Sequence, residues 1–243
     1  MLLGGLQKLT LIDYPGKIAA TVFTSGCSFR CPWCYSPELV LPKKIKSHPK
    51  ISEKYLFDFL QERKGLLEAV VVCGGEPTIH KDLPGFIKKI KKLGYLIKLD
   101  TNGSNPKMLK DLIDKKLIDY VAMDIKAPLW LKSETNSKFQ IPKYEKATGV
   151  KVNLNKIKKS IEIIKNSGID HEFRTTIVPA IHSKEDILQI AREISPAKKY
   201  CLQNFRPEKT IVPRFEKIKP YPREYLLEIQ KAISPFFEIC QVR

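Results

Sequence analysis

Apolar positions along the chain keep two alternating rhythms. Continuous runs rich in β-branched residues predict buried strands over 18–24 (IAATVFT), 68–73 (EAVVVC), 95–100, 120–126 (YVAMDIK), 172–178, 200–205 and 236–242. Between them, apolar residues recurring every three or four positions predict amphipathic helices over 52–64, 83–93, 106–116, 153–167, 183–194 and 223–233. The boundaries carry their own signals. Pro106 opens one helix, Glu185 and Asp186 occupy the first turn of another, and Gly94 and Gly168 follow helix ends.

Strand and helix alternate about six times, at unit lengths suited to βαβ crossovers, with no break that marks a domain boundary. The pattern predicts one α/β domain over 1–243, built either as a doubly wound sheet or as a full or partial (β/α) barrel. Two segments interrupt the rhythm. A basic stretch with three prolines over 37–49 reads as a loop, and a polar insert over about 127–150 carries Trp130, Phe139 and Tyr144. The insert is too long for an ordinary αβ connection. A helix and a strand over about 222–243 close the chain.

Chemistry-bearing residues collect in one place in this pattern: at or just beyond the C-terminal ends of the predicted strands. After the first comes Gly26-Cys27-Ser28-Phe29-Arg30-Cys31-Pro32-Trp33-Cys34, and after the second Gly74-Gly75-Glu76-Pro77. Asp100-Thr101-Asn102-Gly103 ends the third, and Asp124-Ile125-Lys126 the fourth. Arg174 and Thr176 share one face of the fifth, and Gln203 to Pro207 ends the sixth. Six such loops converge on one site only if the sheet curls, so the expectation is a partial (β/α)6 TIM-like barrel.

Cys27, Cys31 and Cys34 give the sharpest signal. Three thiolates at these spacings can surround one inorganic centre. A structural zinc ion would need a fourth ligand, and no second Cys pair or Cys/His pair lies nearby. Thiolates also favour iron–sulfur clusters, and a four-iron cluster with three protein ligands leaves one iron open. Adjacent glycines at 74 and 75 let a ligand approach the backbone, and Glu76 can receive an ammonium group. An inward basic residue on a strand, Arg174, needs an anionic partner. Cys73, Cys201 and Cys240 read as packed strand residues. The four histidines share no metal spacing, although His182 follows the fifth strand closely.

The Cys-x3-Cys-x2-Cys spacing, with Trp33 before the last cysteine, resembles the radical S-adenosylmethionine superfamily. Asp13-Tyr14-Pro15-Gly16-Lys17 and the strand that follows resemble the activating proteins of anaerobic ribonucleoside-triphosphate reductase and, more distantly, the pyruvate formate-lyase activating enzymes. The resemblance implies one 4Fe–4S cluster on Cys27, Cys31 and Cys34, and S-adenosylmethionine on its open iron. It implies Trp33 beside the adenine, and Gly74, Gly75 and Glu76 at the methionine amino group. Asp100, Thr101, Asp124 and Lys126 would hold the carboxylate, partly through a monovalent cation. Arg174 is a further candidate there, and Arg206 stands where the formate-lyase activases place a ribose-contacting His. Where relatives often carry His-Asn after the last cysteine, this chain has Tyr35-Ser36.

The implied activity is reductive cleavage of S-adenosylmethionine to a 5′-deoxyadenosyl radical. The implied partners are a flavodoxin- or ferredoxin-type electron donor and a glycyl-radical enzyme, first of all anaerobic ribonucleotide reductase. A formate-lyase-type activase or a maturase of another substrate is the second reading.

Composition adds two points. The formal charge is +17, from 43 Lys and Arg against 26 Asp and Glu. This keeps open a third reading, a zinc-stabilised nucleic-acid-binding module, but the lysine runs alternate with apolar residues at helical spacing and no nucleic-acid motif accompanies them. No apolar run is long enough for a membrane helix, and the opening residues lack a basic signal-like start. The expectation is a soluble cytoplasmic protein.

Overall fold

The protein is described from a computed structural model, in which residues 1–129 and 142–243 are described. Trp130 and Phe139 of the polar insert lie outside these residues. Among these residues eight strands form one sheet in sequential order, β1 to β8. β1 (Leu3–Thr10) pairs antiparallel with β2 (Ala19–Thr24). From β2 onward every pairing is parallel: β3 (Ala69–Gly74), β4 (Leu96–Thr101), β5 (Tyr120–Asp124), β6 (Asp170–Ile177), β7 (Ala197–Asn204) and β8 (Phe237–Val242). β2 to β7 are the six strands whose ends carry the polar motifs.

The helices cross between them. α1 (Pro37–Val40) and α2 (Pro42–Ser47) are short, and both start on proline. The stretch over 37–49, expected as a loop, is therefore partly helical, because Pro37 and Pro42 each sit at a first helical position that needs no N–H donor. α3 (Glu53–Glu62), α4 (Leu83–Lys92), α5 (Pro106–Asp114), α6 (Lys143–Thr148), α7 (Leu154–Asn166), α8 (Lys184–Ile194) and α9 (Arg223–Ile233) follow. Their starts are fixed locally. Ser52 accepts from the Tyr55 N–H, Asn105 from the Met108 N–H, and Ser183 forms a reciprocal capping box with Asp186. α6 falls inside the insert and ends at Gly149, whose φ of 68° suits glycine.

Period-two alternation divides the sheet into two faces with different fillings. On β3, Val70 and Val72 join Leu56, Phe86, Ile90 and Ile97 in the large apolar core under the helices. Ala69 and Val71 face the other way, into a small cluster with Tyr14, Ala19 and Tyr120. Tyr14, just before β2, and Tyr120, opening β5, have ring centroids only 5.7 Å apart. Three strand spacings of about 4.8 Å would separate them in a flat sheet. The sheet therefore curls into the expected partial barrel, and the two tyrosines close its floor. Asp13 accepts from the Thr21 hydroxyl at 2.7 Å beside that floor.

β1 has no counterpart among the expected strands. Its sequence, LGGLQKLT, lacks β-branched residues except at its end, and its pairing with β2 makes it a strand.

Candidate functional site

Above the floor, at the C-terminal ends of the strands, lies a cavity of about 230 Å³. Cys27, Cys31, Trp33 and Cys34 line it from the loop after β2. Gly74, Gly75 and Glu76 come from the end of β3, Asp100 and Thr101 from β4, Asp124 and Lys126 from β5, and Arg174 from β6. Every expected site residue except Arg206 is thus at one cavity. Arg206 is exposed and does not line it; its backbone N–H donates to the Tyr35 hydroxyl at 2.8 Å.

The cysteine loop is held by its neighbours. The Gly26 N–H donates to Leu39 O, the Glu76 N–H to Gly26 O, the Arg30 N–H to Thr148 O, and the Val212 N–H to Pro32 O, all between 2.7 and 2.9 Å. Glycines make the closest of these approaches. A Cβ on Gly75 would stand 2.0 Å from Gly26 O, and one on Gly74, at φ 122°, 2.3 Å from the Thr24 backbone. The Gly-Gly pair is required where β2 and β3 end side by side.

Cys27, Cys31 and Cys34 take part in no disulfide among the described residues. Burial pushes Cys27 and Cys31 up to about 12, and Cys34 is raised for the same reason. Binding of a metal centre here would release protons, with the metal supplying the charge that stabilises the thiolates. The Phe29 N–H already points at Cys27 Sγ, 3.3 Å away. Among the described residues no three His, Cys, Asp or Glu side chains lie close enough together for a single ion. The three thiols instead surround a cavity, as ligands to separate irons of one cluster would. Trp33 contributes a buried indole N–H without a hydrogen-bond partner among the described residues. The donor set and this orphaned group fit an iron–sulfur cluster with an organic ligand beside it.

Two electrostatic features face the thiols. The first is Glu76, 1% exposed. Its carboxylate accepts from the Thr78 N–H and hydroxyl, the Thr101 hydroxyl and the Asn102 N–H, at 2.5 to 3.1 Å, and pairs with no cation among the described residues. Burial raises its pKa despite these bonds. The second is a chain of alternating charges across three strands. Lys98 pairs with Asp100 at 2.5 Å. Arg174 bridges Asp100 and Asp124, each at 2.9 Å, and Lys126 pairs with Asp124 at 2.9 Å. Three cations against two anions leave an excess positive charge. The neighbouring cations hold both carboxyls below their ordinary range against desolvation, and Lys126 and Arg174 are raised in turn. Lys126 ends the chain over the Trp33 ring, 5.0 Å from its centroid.

Three contributors were not among the expected site residues. Lys98 interrupts an apolar strand two positions before Asp100, a spacing that puts both on one face and was readable as a buried pair. Asn102 lies in a motif already singled out, and its N–H on Glu76 depends on the turn after β4. Thr78 is in the 3₁₀ turn after Glu76 and had no pattern to mark it. His182 is buried and serves the backbone: its Nδ1 accepts from the Val178 N–H at 3.0 Å, and its Nε2 is 2.8 Å from Lys126 O. It props the end of β5 from behind the cavity.

A pattern characteristic of the radical S-adenosylmethionine superfamily matches residues 21–194, from β2 through α8. The chain belongs to this superfamily. Membership implies an enzyme with a 4Fe–4S cluster and S-adenosylmethionine. Along its whole length this radical S-adenosylmethionine protein is 34% identical to a protein of Methanocaldococcus jannaschii named as a glycyl-radical enzyme activating enzyme, covering 95% of that relative. It is 24% identical to the pyruvate formate-lyase-activating enzyme of Clostridium pasteurianum, over 88% of the chain and 84% of the relative. The fold is shared with SuiB of Streptococcus suis, with a TM-score of 0.65, 16% identity and 91% of the chain covered. The chain spans about half of SuiB, 48%. It is also shared with QueE from Escherichia coli, with a TM-score of 0.53 at 15% identity, over 100% of this chain and 94% of that one. No described helix is long and apolar enough to cross a membrane.

Proposed function

We propose that this protein is an activating enzyme that generates a glycyl radical on a partner enzyme, with anaerobic ribonucleoside-triphosphate reductase as the first candidate. One observation carries the reading. Three thiols, a buried carboxylate that pairs with no cation among the described residues, and a strand-end charge chain with excess positive charge meet in a single cavity.

In this reading Cys27, Cys31 and Cys34 bind three irons of a 4Fe–4S cluster. When bound, the cluster and S-adenosylmethionine would supply radical chemistry directed at a glycine Cα of the partner. The chain's own residues bind and orient. Glu76 would accept the ammonium group of the methionine moiety, a cation where the described residues supply none. Lys126 and Arg174, fixed by Asp100 and Asp124, present positive charge to the carboxylate, and Thr101 holds Glu76 in place. Gly74 and Gly75 leave room for the ligand, and Trp33 packs beside the adenine with its unpaired N–H. Arg206 is left out of the cofactor set. A monovalent cation would sit beside Asp100 and Asp124, but Arg174 already bridges both carboxylates, so cofactor binding is expected to depend weakly on it. The single domain over 1–243 is read as the catalytic core, and a flavodoxin- or ferredoxin-type protein as its electron donor in the cytoplasm.

The reductase is favoured by the opening segment, Asp13 to Lys17, which resembles the activating proteins of that enzyme; its Asp13 and Tyr14 sit at the barrel floor. A formate-lyase-type partner is the second reading, supported by the clostridial relative aligned over most of the chain. The test is anaerobic reconstitution with iron, sulfide, reductant and S-adenosylmethionine, followed by electron paramagnetic resonance of each candidate partner. A glycyl doublet in the reductase, absent with Cys31→Ala, is the expected result. Formation of 5′-deoxyadenosine without a reductase radical would overturn the partner. One zinc and no sulfide per chain would overturn the radical chemistry itself.

A further inference from the structure

The cysteine loop has two sides. Cys27, Cys31, Trp33 and Cys34 face the cavity, while Pro32 faces outward into a groove that shares no lining residue with it. Behind the loop, Gly149 packs against the Arg30 carbonyl, and the 210–218 segment is tied to Pro32 through the Val212 N–H. The groove floor is apolar, with Val150, Ile181, Phe215 and Ile218, and Lys146, Lys151 and Arg214 stand at its rim. A second groove adjoins it at Lys151, lined by Ser28 and Lys156 and by Phe29, which also lines the cavity. All four cations are exposed. None has a carboxylate partner among the described residues, unlike many lysines elsewhere, which sit in ion pairs. Among the described residues Glu145 is the single acid lining either groove.

We propose that this outer face of the cysteine loop is the docking surface for an acidic one-electron carrier protein. The inference rests on the radical reading above. Transfer between proteins weakens steeply with distance, so a carrier must dock where little protein separates it from the cluster, and here consecutive residues of one loop line the cavity and the groove. Unpaired cations around an apolar floor suit an acidic patch with an exposed redox group, and such charge complementarity acts chiefly on encounter and register. The carrier loses one electron and the cluster gains it; no bond or proton moves between the two proteins. The partner glycine must instead enter the cavity on the loop's opposite side, so carrier and partner enzyme need not exclude each other.

The test uses full-length reconstituted protein, a reduced acidic flavodoxin, and the triple variant Lys146→Glu, Lys151→Glu, Arg214→Glu. Affinity for the oxidised flavodoxin is measured by titration calorimetry at low and high salt, and S-adenosylmethionine cleavage is followed with flavodoxin or with dithionite. The variant should bind flavodoxin about tenfold or more weakly at low salt, lose most of the salt dependence, and slow equally in flavodoxin-supported cleavage. Dithionite-supported cleavage should match the parent. If flavodoxin binding and flavodoxin-supported rate are unchanged, the docking surface is refuted. It is also refuted if only activation of the partner enzyme falls, which would assign the grooves to that partner. Failure of the parent to cleave S-adenosylmethionine with dithionite would strike the radical reading instead. Single reversals at the three exposed positions keep the test valid should the triple variant fold poorly.

Discussion

Replacing Arg174 by Met removes the cation that bridges β4 and β5 while roughly keeping the side-chain volume. Arg174 donates to Asp124 through Nε and to Asp100 through an Nη, both at 2.9 Å, with all three side chains largely buried. A hydrogen bond to a charged group contributes about 1.5–3 kcal/mol, so two contribute about 3–6 kcal/mol. Breaking a buried pair by removing one partner costs about 3–5 kcal/mol. Lys98 and Lys126 remain on the two aspartates and recover part of this, which favours the lower end, about 3 kcal/mol. The sign with pH follows from the carboxyls. Both are held below their ordinary value in the fold, so their stabilisation is present at neutral pH and lost as pH falls through their folded values. The gap between parent and variant should be full at neutral pH and narrow below about pH 4. Urea unfolding of the metal-free protein, followed by far-ultraviolet circular dichroism at several pH values, measures it; metal-free protein avoids stabilisation by bound ligand. A neutral-pH difference under about 1 kcal/mol would put the bridge on a par with an exposed ion pair and refute this account of the strand ends.

Glu76→Gln keeps shape but turns an amide NH₂ toward donors already aimed at a carboxylate; S-adenosylmethionine should bind at least about tenfold more weakly, by equilibrium dialysis under anaerobic conditions, and unchanged binding would remove Glu76 from the site. Gly75→Ala drives a Cβ into Gly26 O and should cost more than about 2 kcal/mol and lower iron incorporation per chain, read by iron analysis; full iron content would show that the loop can yield. His182 is held down to about 4 by burial, so the unfolded chain binds its proton first. Stability contributed by neutral His182 is therefore complete above about pH 6.5 and falls by about 1.4 kcal/mol per unit toward pH 4. His182→Gln should flatten that part of the stability–pH curve, and an unaltered slope would place the acid sensitivity elsewhere.

Much of the site was legible because it obeys the strand period. Asp100, Asp124 and Lys126 are polar residues at or beside the ends of apolar runs and Arg174 interrupts one, and spacing of two puts Asp124 with Lys126, and Arg174 with Thr176, on a common face. The same logic reaches Lys98, whose place in an apolar strand demands a buried partner. Arg206 follows its strand as closely, yet the chain turns outward there and leaves it in solvent. His182 also follows its strand, but its two ring nitrogens are taken up by Val178 and Lys126 backbone groups.

What the sequence by itself determined is β2 to β8, the longer helices α3 to α5 and α7 to α9, and the side of the sheet on which chemistry gathers, because hydrophobic period and strand-end position are local properties. Only the tertiary structure decided which charges meet. The curl of the sheet brings β4, β5 and β6 close enough for Arg174 to bridge two aspartates, and the turn after β4 completes the Glu76 cradle. Pairing with β2 likewise turned an unpatterned opening segment into β1. The side-chain contacts of the site join residues 25 to 74 positions apart, and no local pattern encodes a distance of that kind.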